Sequence, residues 1–363
     1  METFTGRMKW CMAQAMMFVA ALCCLGCESI FDDEGDCARH YFARFVYDMN
    51  MLRADAFAAQ VSSVDLYVFD AETGSYVTHF SDRGDALASG GYRMPLELAP
   101  GTYDLVAWCG LAGNDGDFTV PSSLARREDL TCTMARSYDG KGATSNRNLH
   151  ALYHGTLTAE LPDEAGEHTV TVRLTKDTNN INLSLQHTAG PLDPARFEVT
   201  MTDDNGLMAY DNSLMADSPV EYRPWSLRSG TVDVAAEEGN SEAGFLIAEL
   251  STARLMASHD ARINIVDKEQ GRVVFSIPLV QWALLLRSAN HASMGEQEYL
   301  DREDEYNLMV FLGNKDNGND NPGDDPGEDP GEDPGDDPAK ESWMAMSIYI
   351  NGWRIVNMDG VEF

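Results

Sequence analysis

Three observations place this chain among the all-β proteins. Short stretches alternate apolar and polar residues with a period of two, as in Asn180 to Gln186 (NINLSLQ) and Arg196 to Thr202 (RFEVTMT). Turn chemistry separates such stretches: Glu72-Thr73-Gly74, Ala99-Pro100-Gly101 and Asp204-Asn205-Gly206. Nowhere do strands alternate with long amphipathic helices, as parallel α/β units require. The architecture expected is two β-sandwiches in tandem, over 38–177 and 178–363. A lipoprotein signal peptide over 1–26 and an acidic tether over 27–37 precede them.

The signal is legible in Ala13 to Cys37 (AQAMMFVAALCCLGCESIFDDEGDC). Arg7 and Lys9 supply a basic leader, and Ala13 to Leu25 is an apolar run too short to span a bilayer as a helix. Gly26 is the small residue a peptidase needs before its cut. Cys27 is then the thiol that accepts the lipid and becomes the new N-terminus. The position three before Cys27 holds Cys24 rather than an aliphatic residue, a departure from the usual lipobox, so an ordinary signal peptide remains the alternative. Glu28, Asp32, Asp33, Glu34 and Asp36 follow at once and break any continuing helix.

The strands are expected in this order. Arg39 to Asp48 is the first, and an Ala-rich helical turn follows within Met51 to Gln60. Val61 to Asp70 carries Val64, Leu66 and Val68 on one face and Asp65, Tyr67 and Phe69 on the other. Tyr76 to Phe80 pairs back on it as a hairpin. The Pro100-Gly101 turn joins Leu96 and Leu98 to Thr102 to Trp108. Asn114 to Asn148 reads as polar and irregular, with a weak helix at Ser122 to Leu130. Leu152 to Glu160 and Glu167 to Leu174 complete the first unit. The second restarts near Asn180, and Asp204-Asn205-Gly206 is expected to fold Leu207 to Tyr210 back onto Arg196 to Thr202. Further strands are expected at Phe245 to Leu250, Arg262 to Val266, Arg272 to Ile277 and Tyr306 to Leu312. Val273 to Leu286 is a core strand running into a turn or short helix.

Gly318 to Pro338 is of a different composition. Four Pro-Gly-acid-Asp units begin at Pro322, Pro326, Pro330 and Pro334. Such a segment cannot bury a core and reads as an extended, self-repelling linker. Its carboxylates lack the ligand alternation and terminal Glu of a calcium loop. Beyond it, Trp343 to Val356 is strand-like again, with Met346, Ile348, Ile350, Trp353 and Ile355 as the apolar set and Gly352 as a bulge or bend. Two readings of this strand stand open. It folds back as an edge strand of the second sandwich, or it is donated to another subunit by strand addition.

The formal charge is −33, and removing residues 1–26 takes away Glu2, Arg7 and Lys9, leaving the remainder one unit more negative. Such a surface repels nucleic acid and anionic lipid, so the acyl group must do the attaching. Of the seven cysteines, Cys27, Cys37, Cys109 and Cys132 survive processing. Cys109 with Cys132 is the first candidate for a disulfide, and buried free thiols are the alternative. The eight histidines do not cluster, no cysteine pair has zinc-site spacing, and nucleophile-elbow, phosphate-loop and zincin motifs are absent. His154 is expected to be structural, and Tyr222 and Trp225 to serve the core rather than stack on sugars. No catalytic residue, metal or cofactor is therefore expected, and the chain reads as a non-enzyme.

Read in order, several segments form a series. Cys27 and its acidic stretch precede Ala54-Asp55-Ala56-Phe57 and Val64-Asp65-Leu66-Tyr67-Val68-Phe69-Asp70. Met94-Pro95-Leu96, Pro100-Gly101-Thr102-Tyr103-Asp104-Leu105-Val106-Ala107-Trp108-Cys109-Gly110 and Tyr153-His154-Gly155 follow. The series resembles the FimB-like fimbrial anchor, or minor fimbrillin, lipoproteins of Bacteroidetes. It is dense from Cys27 to about Gly155 and thin beyond. The resemblance implies two transthyretin-like β-sandwiches and an outer-membrane, surface-exposed anchor acylated on Cys27. It also implies a role at the base of a fimbria, with the major fimbrial subunit as partner. The Pro-Gly-acid-Asp linker departs from that pattern and leaves the place of the last strand open. A surface lipoprotein that binds a glycan or host ligand is the alternative function, and would show as a concave cluster of exposed aromatics.

Overall fold

The computed structural model describes residues 38–187, 191–236, 239–314 and 343–357. Cys27, Cys37 and the Pro-Gly-acid-Asp segment lie outside them. The fold is all-β, as expected, and its strands fall into three large or medium sheets and one small one.

The first sheet has the strand order Tyr76–Arg83, Ser63–Asp70, Gly101–Cys109, Tyr153–Leu161, Gly166–Lys176, Arg39–Met49, Met94–Leu96. Seven pairs and a bulge hold Ser63–Asp70 against Tyr76–Arg83, the hairpin that the sequence predicts. Between Tyr153–Leu161 and Gly166–Lys176 the ladder is only two pairs long. The sheet parts there into two leaves, whose inward residues share one core: Val64, Leu66, Val68, Leu105 and Ala107 from one, Ala43, Phe45, Val172 and Leu174 from the other. Gly155 makes the parting possible, because a Cβ there would lie 2.5 Å from the Arg173 carbonyl oxygen. The short helix Phe57–Gln60 sits beside this core through Phe57.

The four-strand leaf is buried on its other face too. Tyr67, Phe69, Val106 and Trp108 point away from the first core and join a second one. This is the opposite-face pattern of Val61 to Asp70, with both faces apolar and both used.

The second core lies between two six-stranded sheets. One runs Ser226–Ala236, Gly239–Ala253, Thr178–His187, Glu305–Asn314, Trp343–Ile350, Trp353–Asn357. The other runs Arg272–Pro278, Arg262–Asp267, Phe197–Asp203, Val220–Tyr222, Ala143–Ser145, Ser137–Tyr138. Period-two burial is strict from Asn179 to His187, where Ile181, Leu183 and Leu185 face inward, and along Arg262–Asp267. Pro278 ends the Arg272–Pro278 strand and caps the helix Leu279–Asn290, as a residue without an N–H can. That helix buries Leu279, Val280, Ala283 and Leu286, and Glu296–Arg302 adds Tyr299 and Leu300.

Two expectations are corrected. Asn114 to Asn148 is not irregular with a weak helix. It holds the short strands Phe118–Thr119, Cys132–Met134, Ser137–Tyr138 and Ala143–Ser145 and a single 3-10 turn, Arg127–Asp129. Ala143–Ser145 pairs in parallel with Val220–Tyr222, and Cys132–Met134 pairs with Leu207–Met208. Residues 118–145 thus extend the second core, although they precede 177 in the chain. Leu207 to Tyr210 does not fold back onto Arg196 to Thr202, because Phe197–Asp203 takes Val220–Tyr222 and Arg262–Asp267 as its neighbours. Of the two expectations for Gly352, the bend holds. With Asn351 it forms the two-residue turn between Ile350 and Trp353, both at positive φ (47° and 82°), which matches the right-handed twist of the strands it joins.

A single residue, Asp177, separates the strands Gly166–Lys176 and Thr178–His187, so the chain steps straight from the first sheet to the second. Polar contacts lock this step. Lys176 pairs with Asp304, and the Arg302 guanidinium donates to the carbonyls of Asp48 (2.9 Å) and Asn50 (3.1 Å).

Candidate functional site

The outward face of the sheet containing Thr178–His187 is built by register. Ser184 stands opposite Ile247 on one side and Met309 on the other, and Met309 stands opposite Tyr349. Ile247, Ser184, Met309 and Tyr349 therefore form one row across four strands, on the face opposite the core residues Leu183, Leu308 and Ile350. Phe311 lies one step along and meets Tyr349 edge-on, with ring centroids 5.9 Å apart. On the other side of the row, Asn182 donates to Asn307 at 3.0 Å and Asn180 donates to Glu305 at 2.8 Å.

The row, with Phe311, Asn182, Asn307 and Gly352, lines a groove of about 400 Å³. That volume is in the range of sites that hold small ligands. Asn351, next to the lining residue Gly352, ties the hairpin turn to the neighbouring strand: its Oδ1 accepts from the Asn307 N–H at 2.8 Å and its Nδ2 donates to the Glu305 carbonyl at 3.2 Å. Met309, 38% exposed on the strand Glu305–Asn314, leaves an apolar floor open to solvent. The groove can take an apolar face flanked by hydroxyls or amides. Ser184 and Tyr349 bring hydroxyls to the lining, and no His, Cys, Lys or carboxylate stands among the lining residues to activate them.

The C-terminal strand residues fall on both sides of this face. Ile348 and Ile350 are buried in the second core, paired with Val310 and Leu308. Met346 falls at an irregularity between the Phe311–Ser347 and Leu312–Ala345 pairs. Trp353 stands opposite Ile350, and Ile355 falls at the irregularity of the last hairpin. The segment is thus paired within its own chain as a hairpin, and Trp353–Asn357 is the outermost strand of the sheet.

Cys109 and Cys132 are not joined. Cys109 points into the first core and Cys132 into the second, on opposite faces of the leaf that carries Gly101–Cys109. Burial holds both thiols protonated, far above the ordinary range. His154 is structural, as expected. Its Nε2–H donates to the Tyr210 carbonyl at 2.9 Å, its ring packs on Trp108, and burial pulls its pKa down to about 4, leaving it neutral. Tyr222 is fully buried, whereas Trp225 is 40% exposed and so is not spent on the core. Among the described residues no helix is long and apolar enough to cross a membrane.

The family model for fimbrillin-A associated anchor proteins Mfa1 and Mfa2 matches residues 33–359. No curated protein matches the chain. Among solved structures, one from Bacteroides thetaiotaomicron, described as a candidate adhesin, is 33% identical with a TM-score of 0.69, covering 87% of this chain and 97% of its own. A second from the same organism, described as a candidate polysaccharide-binding protein, is 26% identical with a TM-score of 0.69, covering 89% and 99%. The fimbrial anchor protein Mfa2 of Porphyromonas gingivalis shares the fold at 18% identity, with a TM-score of 0.60 and coverage of 88% and 99%.

Proposed function

The chain belongs to the family of fimbrillin-A associated anchor proteins, a fimbrial accessory subunit, and from that premise we propose that it is the lipid-held anchor of a fimbria. Acylated on Cys27, it stays on the outer membrane and holds the polymer of major subunits to the cell. The observation that carries this reading is the family match, which runs through both cores and into the terminal hairpin. The subunit contact is strand-mediated. Supporting it, Trp353–Asn357 ends its sheet with no further strand beside it among the described residues, so its outer backbone groups can pair with an incoming strand.

The test is a pull-down from cells carrying the tagged protein, alongside Cys27→Ala and a proline scan over 353–357, with folding of each variant checked by circular dichroism. Fimbrial subunits should co-purify with the wild-type chain and be lost in the folded proline variants. Cys27→Ala should release fimbriae into the medium. A wild-type chain that brings down no fimbrial subunit refutes the anchor role.

A second reading, a surface protein that binds a glycan, is favoured by the groove itself. Phe311 and Tyr349 offer ring faces and edges, and Asn182 and Asn307 offer amides, the pairing that sugar recognition uses. The relative described as a candidate polysaccharide-binding protein adds to it. Glycan-array binding lost in Tyr349→Ala and Phe311→Ala supports this reading, and an array with no hit removes it.

A further inference from the structure

Away from the groove, at the far end of the strand Phe197–Asp203, two acidic side chains and one imidazole converge. His259 Nδ1 lies 2.9 Å from Asp203 Oδ1 and 2.9 Å from Asp204 Oδ1. The three ligand atoms fall within 4.8 Å of one another. Asp203 comes from the strand end, Asp204 from the turn after it, and His259 from the 254–261 loop.

Two features separate this cluster from an ordinary solvated group of acids. The Asp203 side chain is only 2% exposed, and its second oxygen has no hydrogen-bond partner among the described residues. A buried carboxylate oxygen without a donor costs stability unless something positive reaches it. The cluster is also held in place from behind. Asn205, the next residue, donates through Nδ2 to the carbonyls of Ala253 (3.2 Å) and Arg254 (3.0 Å) and accepts from the Tyr222 hydroxyl. The turn and the loop are thereby fastened side by side before any ion arrives, which keeps the three ligands near one another at little further entropic cost.

We propose that Asp203, Asp204 and His259 form a binding site for a divalent transition-metal cation, zinc above all. One imidazole nitrogen and two carboxylates suit a borderline ion better than calcium or magnesium, which favour oxygen ligands alone. Two carboxylates and a neutral imidazole balance the 2+ charge. Tetrahedral zinc with ligand bonds of about 2.0–2.2 Å sets its ligand atoms about 3.3 Å apart. The separations of 2.9 Å therefore need to open by only a few tenths of an ångström as the ion replaces the shared proton of the His–Asp contacts. The fourth position falls to water, since Asp204 is half-exposed at the rim. Bound there, the ion pins the 203–206 turn to the 254–261 loop.

With 59 acidic residues the chain attracts any divalent ion loosely, so the test must isolate the imidazole. The full chain, stripped with a chelator, is titrated with zinc, manganese or calcium chloride, and binding is read by calorimetry and by thermal shift. Zinc should bind with one saturable high-affinity site, raise the melting temperature, and outcompete calcium. His259→Ala, with its fold checked by circular dichroism, should lower the metal-free melting temperature because Asp203 loses a donor, and should lose zinc affinity by at least about 100-fold, the upper end of what losing even an outer-shell partner costs. Asp204→Asn, on the exposed rim, serves as a second folded variant and should weaken zinc in the same direction. Zinc affinity unchanged in His259→Ala, or no saturable site in the wild-type chain, overturns the proposal.

Discussion

Replacing Asp177 by asparagine should change how stability depends on pH while leaving the fold intact. Asp177 is the single residue between the two sheets and is fully buried. Its Oδ1 accepts from Asn212 Nδ2 at 2.9 Å, and Arg254 Nε stands 3.8 Å away. Its Oδ2 and the Asn212 Oδ1 both lack partners among the described residues, so a proton on Oδ2 supplies a donor where two acceptors now face none. Burial pushes the Asp177 pKa up to about 7, against the pull of Arg254 and Asn212. The folded chain then keeps a proton that the unfolded chain releases near its ordinary pKa of 3.8. More protons are bound in the native state across that window, so stability falls as pH rises from about 4 to 7. Three units at about 1.4 kcal/mol each set a ceiling of about 4 kcal/mol. Asparagine imitates the protonated acid and carries no such slope. Urea midpoints for wild type and Asp177→Asn, taken from pH 4 to 8, test this, because the difference cancels every other shared acid. The two should coincide near pH 4, with the variant progressively more stable up to pH 8. A constant gap, or a variant less stable at pH 8, would mean that Arg254 holds Asp177 ionised and would refute the reasoning.

Other outcomes follow from single contacts. Gly110→Ala should cost about 2–4 kcal/mol in denaturation, since its φ is +92° and a Cβ would lie 2.2 Å from the Ala151 carbonyl oxygen. Gly352→Ala, at φ +82° with open space around it, should cost only about 1 kcal/mol, and equal losses would refute the steric account. Trp108→Ala, emptying a fully buried site against His154, should cost about 3–5 kcal/mol in the same assay. Alkylation followed by peptide mass spectrometry should find Cys109 and Cys132 unlabelled in the native chain and both labelled after unfolding without reductant, whereas a disulfide would leave them unlabelled in both states.

Much of the fold was readable where period-two alternation runs for six residues or more, as in Thr178–His187 and Phe197–Asp203. The strands of 118–145 are two or three residues long, too short for any periodicity, and are strands only because 207–208, 220–222 and one another lie beside them. The Asp204-Asn205-Gly206 turn is real chemistry, but a turn signal does not say which strand lies next, and Leu207 found Thr133 instead. Ile350-Asn351-Gly352-Trp353 did carry a readable signal: Asn-Gly between apolar residues marks a two-residue hairpin. The groove was not readable, since Ile247, Ser184, Met309 and Tyr349 come together only through the register of three ladders. Nor was the His259 cluster, whose members lie on a turn and a loop distant in the chain.

The ladder of the last two long strands places Asn314 directly opposite Trp343. The Pro-Gly-acid-Asp segment therefore leaves and returns at neighbouring points, making it the connection of a hairpin rather than a leash to somewhere distant. Closing such a connection costs entropy that grows only with the logarithm of its length. For a segment of this composition, one more four-residue unit adds about 0.1 kcal/mol. The number of units is thus nearly invisible to the stability of the sheet. Copies can be gained or lost at almost no cost to folding. Length at this one place is free to drift, or to be tuned, while every ladder beside it stays in register.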